Sequence, residues 1–296
     1  MFKIYFTVDG FPRQADLKDF IFPGGEVQVV IDPAKAKKAS HALIQAHLEN
    51  SDDVMKLLLV TDAIRRLGIN RVALHMPYVP YARQDRVANP GEAHALKVFA
   101  NLINSQKYDV VHVFDPHSDV VEACFDNIKI KNNHEFVGNA LTNVAELFST
   151  DDFWLVSPDA GAAKKIGALA SHLSNGHFKN LKVAQGGKTR DTVTGKLTGF
   201  TVDKEDFGGK PCVIVDDICD GGGTFLGLAK VLKAKNAGPL VLVVSHGIFS
   251  QGFADLNSKF DLIYCTDSFE KNLTEERMKP FPNLLLVNEL VVTSEK

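Results

Sequence analysis

The sequence lacks the features that mark membrane, secreted and nucleic-acid-binding proteins. No apolar run approaches the roughly eighteen residues that a transmembrane helix needs, and residues 1–6 do not resemble a signal peptide. The chain has no polybasic block, and its formal net charge of -3 argues against a nucleic-acid partner. Its four cysteines form no Cys-x-x-Cys pair, which is typical of reduced thiols. We therefore expect a cytoplasmic protein with neither membrane nor nucleic-acid partners.

What the chain does contain is the alternating pattern of an α/β protein. At 296 residues, with 45% hydrophobic and 23% charged residues, it is long enough for two domains of ordinary composition. Apolar runs predict strands at residues 2–7 and 27–31, and apolar positions at helical spacing predict a helix over 51–67 that Gly68 ends. Strands and helices alternate to the end of the chain, which predicts mostly parallel sheets flanked by helices.

The strongest chemical signal is residues 212–225, Cys-Val-Ile-Val-Asp-Asp-Ile-Cys-Asp-Gly-Gly-Gly-Thr-Phe. The first four predict a buried parallel strand, which puts Asp216 and Asp217 at its carboxyl end, where open α/β sheets bind ligands. Glycines 221–223 tolerate positive φ and precede a predicted helix, so their N–H groups suit a phosphate. The carboxylates would repel that phosphate unless they hold sugar hydroxyls or a cation. The stretch predicts a phosphorylated sugar, although a corner with solvated aspartates stays open.

These residues resemble the PRPP-binding motif of phosphoribosyltransferases and of ribose-phosphate pyrophosphokinases, where PRPP is 5-phosphoribosyl 1-diphosphate. The resemblance implies that Asp216 and Asp217 hold the ribose hydroxyls and an associated cation. It also implies a phosphate-binding loop for the 5-phosphate, made of Asp220, Gly221, Gly222, Gly223 and Thr224.

A second motif, Pro-Tyr-Val-Pro-Tyr-Ala-Arg-Gln-Asp-Arg, occupies residues 77–86 after a predicted strand. Arginine binds phosphate oxygens through a planar fork and stacks on bases, which suits a nucleoside triphosphate. Surface arginines are also often merely solvated. The segment resembles the ATP-binding loop of ribose-phosphate pyrophosphokinases, a loop that phosphoribosyltransferases lack. The resemblance implies ATP contacts by Arg83, Gln84 and Arg86.

Two further strand ends carry candidate metal ligands. His117 lies in Phe-Asp-Pro-His-Ser, and a single loop histidine is often only hydrogen-bonded. The segment resembles the family's Asp-x-His motif, however, whose histidine helps to hold Mg-ATP. Asp159 precedes a predicted helix, so it fits either a helix cap or a magnesium ligand, and the matching family aspartate is a cation ligand. The resemblance implies ATP as co-substrate and Mg²⁺ as cofactor, near His117 and Asp159.

The segment Gly-Gly-Lys-Thr at residues 186–189 looks like the end of a Walker A loop, but that motif requires glycine at position 182, where lysine stands. Lys188 and Arg190 instead match a Lys-x-Arg pair at the base of the family's catalytic flap. The polar residues that follow, to 209, predict a β-hairpin. Two cations over a transferring diphosphoryl group would stabilise its developing charge, so we expect Lys188 and Arg190 to be catalytic. We also expect Asp216 of the central motif to be catalytic. The alternative for the two cations is that they lie at a solvated end of the hairpin.

The resemblance extends from residue 22 to residue 287 and implies two PRPP-transferase-like α/β domains in tandem. We assign the ATP-binding loop to residues 1–135 and the PRPP-binding motif and flap to residues 136–296, and leave open that the last segment returns to the first domain. Residues 245–252 also resemble a family segment, without an assigned chemical role. The implied activity is ATP-dependent diphosphoryl transfer to ribose 5-phosphate, which gives PRPP and AMP. The resemblance also implies a homo-oligomer, either a dimer or a hexamer.

The sequence departs from the family pattern in two motifs. The family turn Phe-Ser-Asp-Gly-Glu, which reaches ATP in an adjacent subunit, is Phe-Pro-Gly-Gly-Glu here. Phe22 and Glu26 remain expected ATP contacts, while Gly24 removes one carboxylate. Gly221 stands where the family usually has threonine or serine, and the missing side chain is either neutral or makes room for a larger acceptor such as ADP-ribose, within NAD metabolism.

The sequence leaves two more functions open. A phosphoribosyltransferase would consume PRPP, but the loop at residues 83–86 and the presence of a second domain argue against it. A regulatory subunit without activity would be expected to lose flap cations or metal ligands, which are present. The short ends of the sequence lead us to expect weak control by ADP and phosphate.

Overall fold

The structure is a computed structural model. It describes residues 1–176, 178–179, 181–190, 197–269, 272–281 and 283–287. The chain divides into two compact units, of which the first holds residues 1–132 and the second begins at Asn133. The expectation that the last segment returns to the first domain concerns residues 288–296, which lie outside the described residues.

The first unit is built on a six-stranded sheet and a separate hairpin. Its elements are β1 (Phe2–Val8), β2 (Phe11–Ala15), β3 (Leu17–Ile21), β4 (Val27–Ile31), β5 (Ala39–Ala46), α1 (Ser51–Arg66), β6 (Val72–His75), α2 (Ala95–Asn104), β7 (Val110–Phe114), α3 (Val120–Cys124) and β8 (Ile128–Lys131).

The sheet of the first unit has the strand order β2-β1-β5-β6-β7-β8. Strands β5 to β8 run parallel, whereas β1 is antiparallel to both β2 and β5. The core contains Phe6, Ile44, Leu57 and Leu74, all fully buried. Helix α1 begins where predicted, because the side chain of Asn50 accepts a hydrogen bond from the Asp53 N–H at 3.0 Å.

The second unit is built on a seven-stranded sheet. Its elements are α4 (His134–Phe148), β9 (Trp154–Ser157), α5 (Ala163–Ser174), β10 (Lys182–Arg190), β11 (Leu197–Val202), β12 (Cys212–Cys219), α6 (Gly223–Ala234), β13 (Leu240–Gly247), α7 (Ala254–Asn257), β14 (Leu262–Thr266), α8 (Glu275–Met278) and β15 (Leu284–Val287).

The strand order of the second sheet is β11-β10-β9-β12-β13-β14-β15. All neighbours are parallel except β11, which is antiparallel to β10. The pair β10–β11 confirms the predicted hairpin, whose residues 191–196 lie outside the described residues. Strand β12 is central and apolar on both faces at its start, as a parallel strand covered on both sides requires.

The prediction of an α/β fold with two domains is confirmed by these two units. No helix in the described part of the chain is both long enough and apolar enough to cross a membrane.

Candidate active site

Asp216 and Asp217 lie in the carboxyl-terminal half of β12, which extends to Cys219 and is longer than the predicted strand at 212–215. Strand β9 pairs with β12 from Cys212 to Ile214, whereas β13 pairs with it as far as Cys219. Asp216 and Asp217 therefore lie beyond the end of β9 but still within the strand. Asp217 is buried and Asp216 half-buried, so both carboxyl groups are held by a rigid strand at the carboxyl edge of the sheet.

Asp216 lies in surroundings that disfavour its negative charge. Burial raises the pKa of Asp216 well above its usual value, and the charge and hydrogen bonding of Asp217 and the charge of Asp159 raise it further. The hydrogen bond that the Asp217 N–H donates to Asp216 Oδ1, at 3.0 Å, offsets this in part. A half-buried carboxylate whose charge is disfavoured is stabilised by a cation or by hydroxyl donors, and the site therefore has the chemistry that binds a sugar diol or a metal ion.

The glycine loop joins β12 to helix α6, and its glycines have different roles. Gly222 has φ +80°, so the backbone favours glycine there, and a Cβ would also lie 3.1 Å from the side chain of Leu256, which would have to shift. Gly221 has neither constraint, since its φ is ordinary and its Cβ would meet Gln251 Cγ at 3.4 Å. Gly223 begins α6, and Thr224 follows in its first turn. The first N–H groups of this 12-residue helix lack intrahelical partners, as an anion site needs.

Asp159 and Lys188, predicted as metal ligand and catalytic cation, form an ion pair. Asp159 also caps the segment before α5, because its Oδ1 accepts a hydrogen bond from the Ala162 N–H at 3.1 Å. Partial burial raises the pKa of Asp159, but the hydrogen bonds from Lys188 and Ala162 and the charge of Lys188 outweigh burial and lower the pKa below its usual value. Asp159 is therefore ionised at neutral pH and is both a cap and an anionic partner.

Two glycines bring Lys188 to Asp159. A Cβ at Gly186 would lie 2.7 Å from the carbonyl oxygen of Ser157 and 2.9 Å from that of Pro158, and a Cβ at Gly187 would lie 2.6 Å from Thr201 Oγ1. Strand β10 can approach these neighbours only because both side chains are absent. The glycines that resemble part of a P-loop thus serve close packing around the flap base.

The flap also rests on helix α6 through a contact that was not predicted from the sequence. Phe200 in β11 lies directly opposite Lys188 in β10, so both side chains lie on the same face of the hairpin. A Cβ at Gly227 would be 2.0 Å from the ring of Phe200, which means that the ring lies against the bare backbone of α6. A glycine in the middle of a predicted helix was the available signal. Arg190 ends β10, and its side chain lies outside the described part of the structure.

The candidate ATP loop lies in the first unit, after β6. Arg83, Gln84 and Arg86 are all exposed. The Gln84 N–H donates to the carbonyl oxygen of Tyr81 at 2.9 Å, and the Leu96 N–H donates to that of Gln84 at 3.3 Å. These two hydrogen bonds hold the loop to the start of α2.

His117 follows the next strand, β7, and is exposed. The Phe114 N–H donates to the carbonyl oxygen of Pro77 at 3.0 Å, so the segments that lead to His117 and to the ATP loop start side by side. Asp115 is buried with φ +35°, in keeping with a structural role. The structure thus brings the expected triphosphate contacts of the first unit to one edge of its sheet.

Phe22 and Glu26 lie at the tip of the antiparallel hairpin β3–β4. The Phe22 N–H donates to the carbonyl oxygen of Glu26, and the Gly25 N–H donates to that of Phe22, both at 2.8 Å. Gly25 has φ +91°, whereas Gly24 has an ordinary φ, and a Cβ there would lie 3.8 Å from Glu26 Oε2, at van der Waals distance. Glycine is thus required at one position of the turn, and both candidate contact residues are exposed.

No group of three or more His, Cys, Asp or Glu side chains within the described ranges is arranged to hold a metal ion. A magnesium ion with one or two protein carboxylates, and with water and substrate phosphates for its remaining ligands, needs no such group. The ionised Asp159 and the disfavoured charge of Asp216 therefore fit a substrate-bound Mg²⁺ better than a fully protein-bound metal.

Two family models match the chain. The N-terminal domain of ribose phosphate pyrophosphokinase matches residues 13–106, and a phosphoribosyl transferase domain matches residues 128–273. The chain is 33% identical over 223 residues to a ribose-phosphate pyrophosphokinase of Agrobacterium fabrum, covering 74% of this chain and 68% of that protein. It is 28% identical over 286 residues to one of Thermosipho africanus, covering 96% and 88%.

Among solved structures, phosphoribosylpyrophosphate synthetase from Mycobacterium smegmatis matches with a TM-score of 0.77 and 23% identity, covering 93% of this chain and 86% of that one. At this identity the likeness concerns the fold.

Proposed function

Since the chain belongs to the ribose-phosphate pyrophosphokinase family, we propose that it transfers the β,γ-diphosphoryl group of ATP to the anomeric hydroxyl of ribose 5-phosphate, giving PRPP and AMP. The observation that carries this proposal is the second unit's cluster of Asp216, the Asp159–Lys188 pair and the glycine loop. The cluster combines sites for a diol, a cation and a phosphate at one edge of a sheet.

The acceptor binds through two parts of the β12–α6 connection. The 5-phosphate accepts hydrogen bonds from N–H groups of residues 220–224, at the N-terminus of α6. Asp216 and Asp217 accept hydrogen bonds from the 2- and 3-hydroxyl groups of the ribose, which compensates the buried charge of Asp216. The anomeric hydroxyl is then oriented for in-line attack on the β-phosphorus, and such positioning supplies most of the catalysis in phosphoryl transfer.

The triphosphate binds through residues of the first unit. Arg83, Gln84, Arg86 and His117, all exposed, donate to its oxygens. Phe22 and Glu26 serve the adenine of ATP in a neighbouring copy of the chain, which makes the active form a homo-oligomer. The bond from the β-phosphorus to the α,β-bridging oxygen breaks, AMP leaves, and the proton of the anomeric hydroxyl passes to solvent.

Lys188 exchanges partners during this reaction. Without substrate it is held by Asp159, and with ATP present it donates to the transferring diphosphoryl group together with Arg190. The exchange leaves the ionised carboxylate of Asp159 available as an oxygen ligand. Mg²⁺, when bound, neutralises charge on the triphosphate oxygens.

ADP-ribose as acceptor is the second candidate, and it depends on Gly221. The ordinary φ of Gly221 means that the backbone conformation of the turn does not require glycine. The absence of a side chain at this position therefore has no backbone cause. The adjacent space, however, is bordered by Gln251 Cγ, 3.4 Å from where a Cβ would lie. This contact favours the smaller acceptor, ribose 5-phosphate.

The test is AMP release from ATP and Mg²⁺ with ribose 5-phosphate or ADP-ribose at equal concentrations, with product masses measured. A clear preference for ribose 5-phosphate is expected. Preference for ADP-ribose would move the enzyme to NAD metabolism, and no AMP with either acceptor would favour a regulatory subunit.

A further inference from the structure

The turn that follows β13 is held against the glycine loop by main-chain hydrogen bonds. The N–H groups of Ile248 and Phe249 both donate to the carbonyl oxygen of Cys219, at 2.9 and 3.1 Å, and the Ser250 N–H donates to that of Asp220 at 3.1 Å. Phe249 is fully buried and anchors the turn in the core. Turn and loop therefore keep one relative position.

Two polar residues of this turn, Ser250 and Gln251, lie beside Gly221 of the glycine loop. A Cβ at Gly221 would be 3.4 Å from Gln251 Cγ and 3.8 Å from Ser250 Oγ. Both residues are exposed, whereas Phe249 between them and β13 is buried. The Ser250 hydroxyl and the Cγ methylene of the Gln251 side chain thus border the loop at Gly221.

On the basis of the proposed function, we propose that Ser250 and Gln251 form the second wall of the acceptor site. The Ser250 hydroxyl donates a hydrogen bond to the 5-phosphate. The Gln251 side chain limits the size of the group attached to O5 of the ribose. Hydroxyl and amide groups donate to anions without adding charge. The loop supplies main-chain donors on one side of the phosphate, and the turn supplies side-chain donors on the opposite side. Gln251 fills the space that an enlarged 5-substituent would need.

The first measurement is steady-state AMP release with ribose 5-phosphate varied at saturating Mg-ATP. Ser250→Ala is expected to raise KM for ribose 5-phosphate about tenfold while kcat and KM for ATP stay within about twofold, the usual loss for one hydrogen bond to a charged group. Ser258→Ala is the matched control, because Ser258 is an exposed serine of the same unit whose hydroxyl donates to the Asp255 carbonyl oxygen. It is expected to leave both constants unchanged.

A relocated hydroxyl gives a more specific readout. Because a Cβ at position 221 would be 3.8 Å from Ser250 Oγ, Gly221→Ser in the Ser250→Ala background puts a hydroxyl back into the same space. The double variant is expected to recover most of the tenfold loss, to within about threefold of wild type. A general structural defect would not be rescued in this way.

Gln251→Ala tests the size limit. It is expected to raise kcat/KM for ADP-ribose relative to ribose 5-phosphate about tenfold, because removal of the side chain opens the space beside Gly221. An unchanged ratio, or an unchanged KM in Ser250→Ala, overturns the assignment.

Calorimetric binding of ribose 5-phosphate without ATP separates this proposal from the function on which it rests. Absence of AMP from the wild type would contradict the proposed reaction. Equal affinity of wild type and Ser250→Ala for ribose 5-phosphate would contradict the role of Ser250, whether or not turnover occurs.

Discussion

The surroundings of Asp216 disfavour the charged form of its carboxyl group, and this gives a prediction about stability. Burial and the neighbouring carboxylates raise its pKa, so a negative charge on this group costs more free energy in the folded state than in the unfolded one. Asp216→Asn removes the charge and keeps the shape. We expect the free energy of unfolding to rise by roughly 1–2 kcal/mol and turnover to be lost, as measured by denaturant unfolding and AMP release.

The pH dependence of this effect has a defined sign. A carboxyl group with a raised folded pKa destabilises fully above that pKa, and the destabilisation disappears as pH falls towards the unfolded value near ~3.9. The stability difference between Asp216→Asn and the wild type should therefore shrink on acidification. A wild type more stable than the variant at neutral pH would contradict this explanation.

Lys188 is expected to act on the transferring group and not on the acceptor. Lys188→Ala should lower kcat by about 10²–10³-fold and leave KM for ribose 5-phosphate within about twofold. Lys204→Ala is the matched control, since Lys204 is a partly exposed lysine of the same unit that pairs with Asp203 at 3.7 Å. Normal turnover of Lys188→Ala would refute the assignment.

Single residues could be predicted from the sequence where their chemical type carries the function. Asp159 and Lys188 were predicted separately, and the structure joins them in an ion pair. The glycines could not be ranked in advance, because φ and the distance to Leu256 distinguish Gly222 from Gly221. Those quantities arise only from tertiary packing.

At the scale of elements, the contact between β11 and α6 positions the flap. Gly227→Ala would put a Cβ 2.0 Å from the Phe200 ring, so the ring must move and β11 must shift with it. We expect kcat to fall about tenfold with KM for ribose 5-phosphate nearly unchanged, because the paired Lys188 is displaced. The measurement is steady-state AMP release.

Two variants make this test specific. Phe200→Leu in the Gly227→Ala background removes the clashing ring and should restore part of the lost kcat. Gly167→Ala in α5, where nothing lies within 4 Å of the added Cβ, controls for alanine in a helix. Full activity of Gly227→Ala, or a further loss in the double variant, would show that the contact does not position the flap.

Elements with clear periodicity were predictable, whereas elements that depend on their neighbours were not. The helix from residue 51 and the strand at 27–31 were confirmed, since apolar spacing and capping act locally. Strand β5 was not predicted, because its polar residues Ser40, His41 and Gln45 interrupt the apolar alanine, leucine and isoleucine residues. That strand exists because β1 and β6 pair with it on both sides, and the extension of β12 to Cys219 likewise depends on β13.

At the scale of the molecule, each unit carries buried thiols that report its integrity. All four cysteines are buried, with Cys124 in the first unit and the remaining three in the second. Burial raises the pKa of Cys212 to about 12 and also raises the pKa of Cys219 and Cys265, so the nucleophilic thiolate is scarce. We expect slow reaction with a thiol reagent at pH 8 and four reactive thiols in denaturant. Fast labelling of the native protein would contradict this packing.

The proposed reaction is defined by the group that is transferred from ATP and by the hydroxyl group of the ribose that receives it. The most direct measurement is phosphorus NMR of a reaction that contains the whole chain, ATP, Mg²⁺ and ribose 5-phosphate. It follows the phosphorus atoms of substrates and products at the same time. The proposed reaction predicts that ATP signals are replaced by those of AMP and of a diphosphate ester on a ribose that keeps its 5-phosphate. Formation of ADP and of a ribose bisphosphate, with one phosphate added beside the 5-phosphate, or ATP that persists in the presence of both substrates, would contradict it.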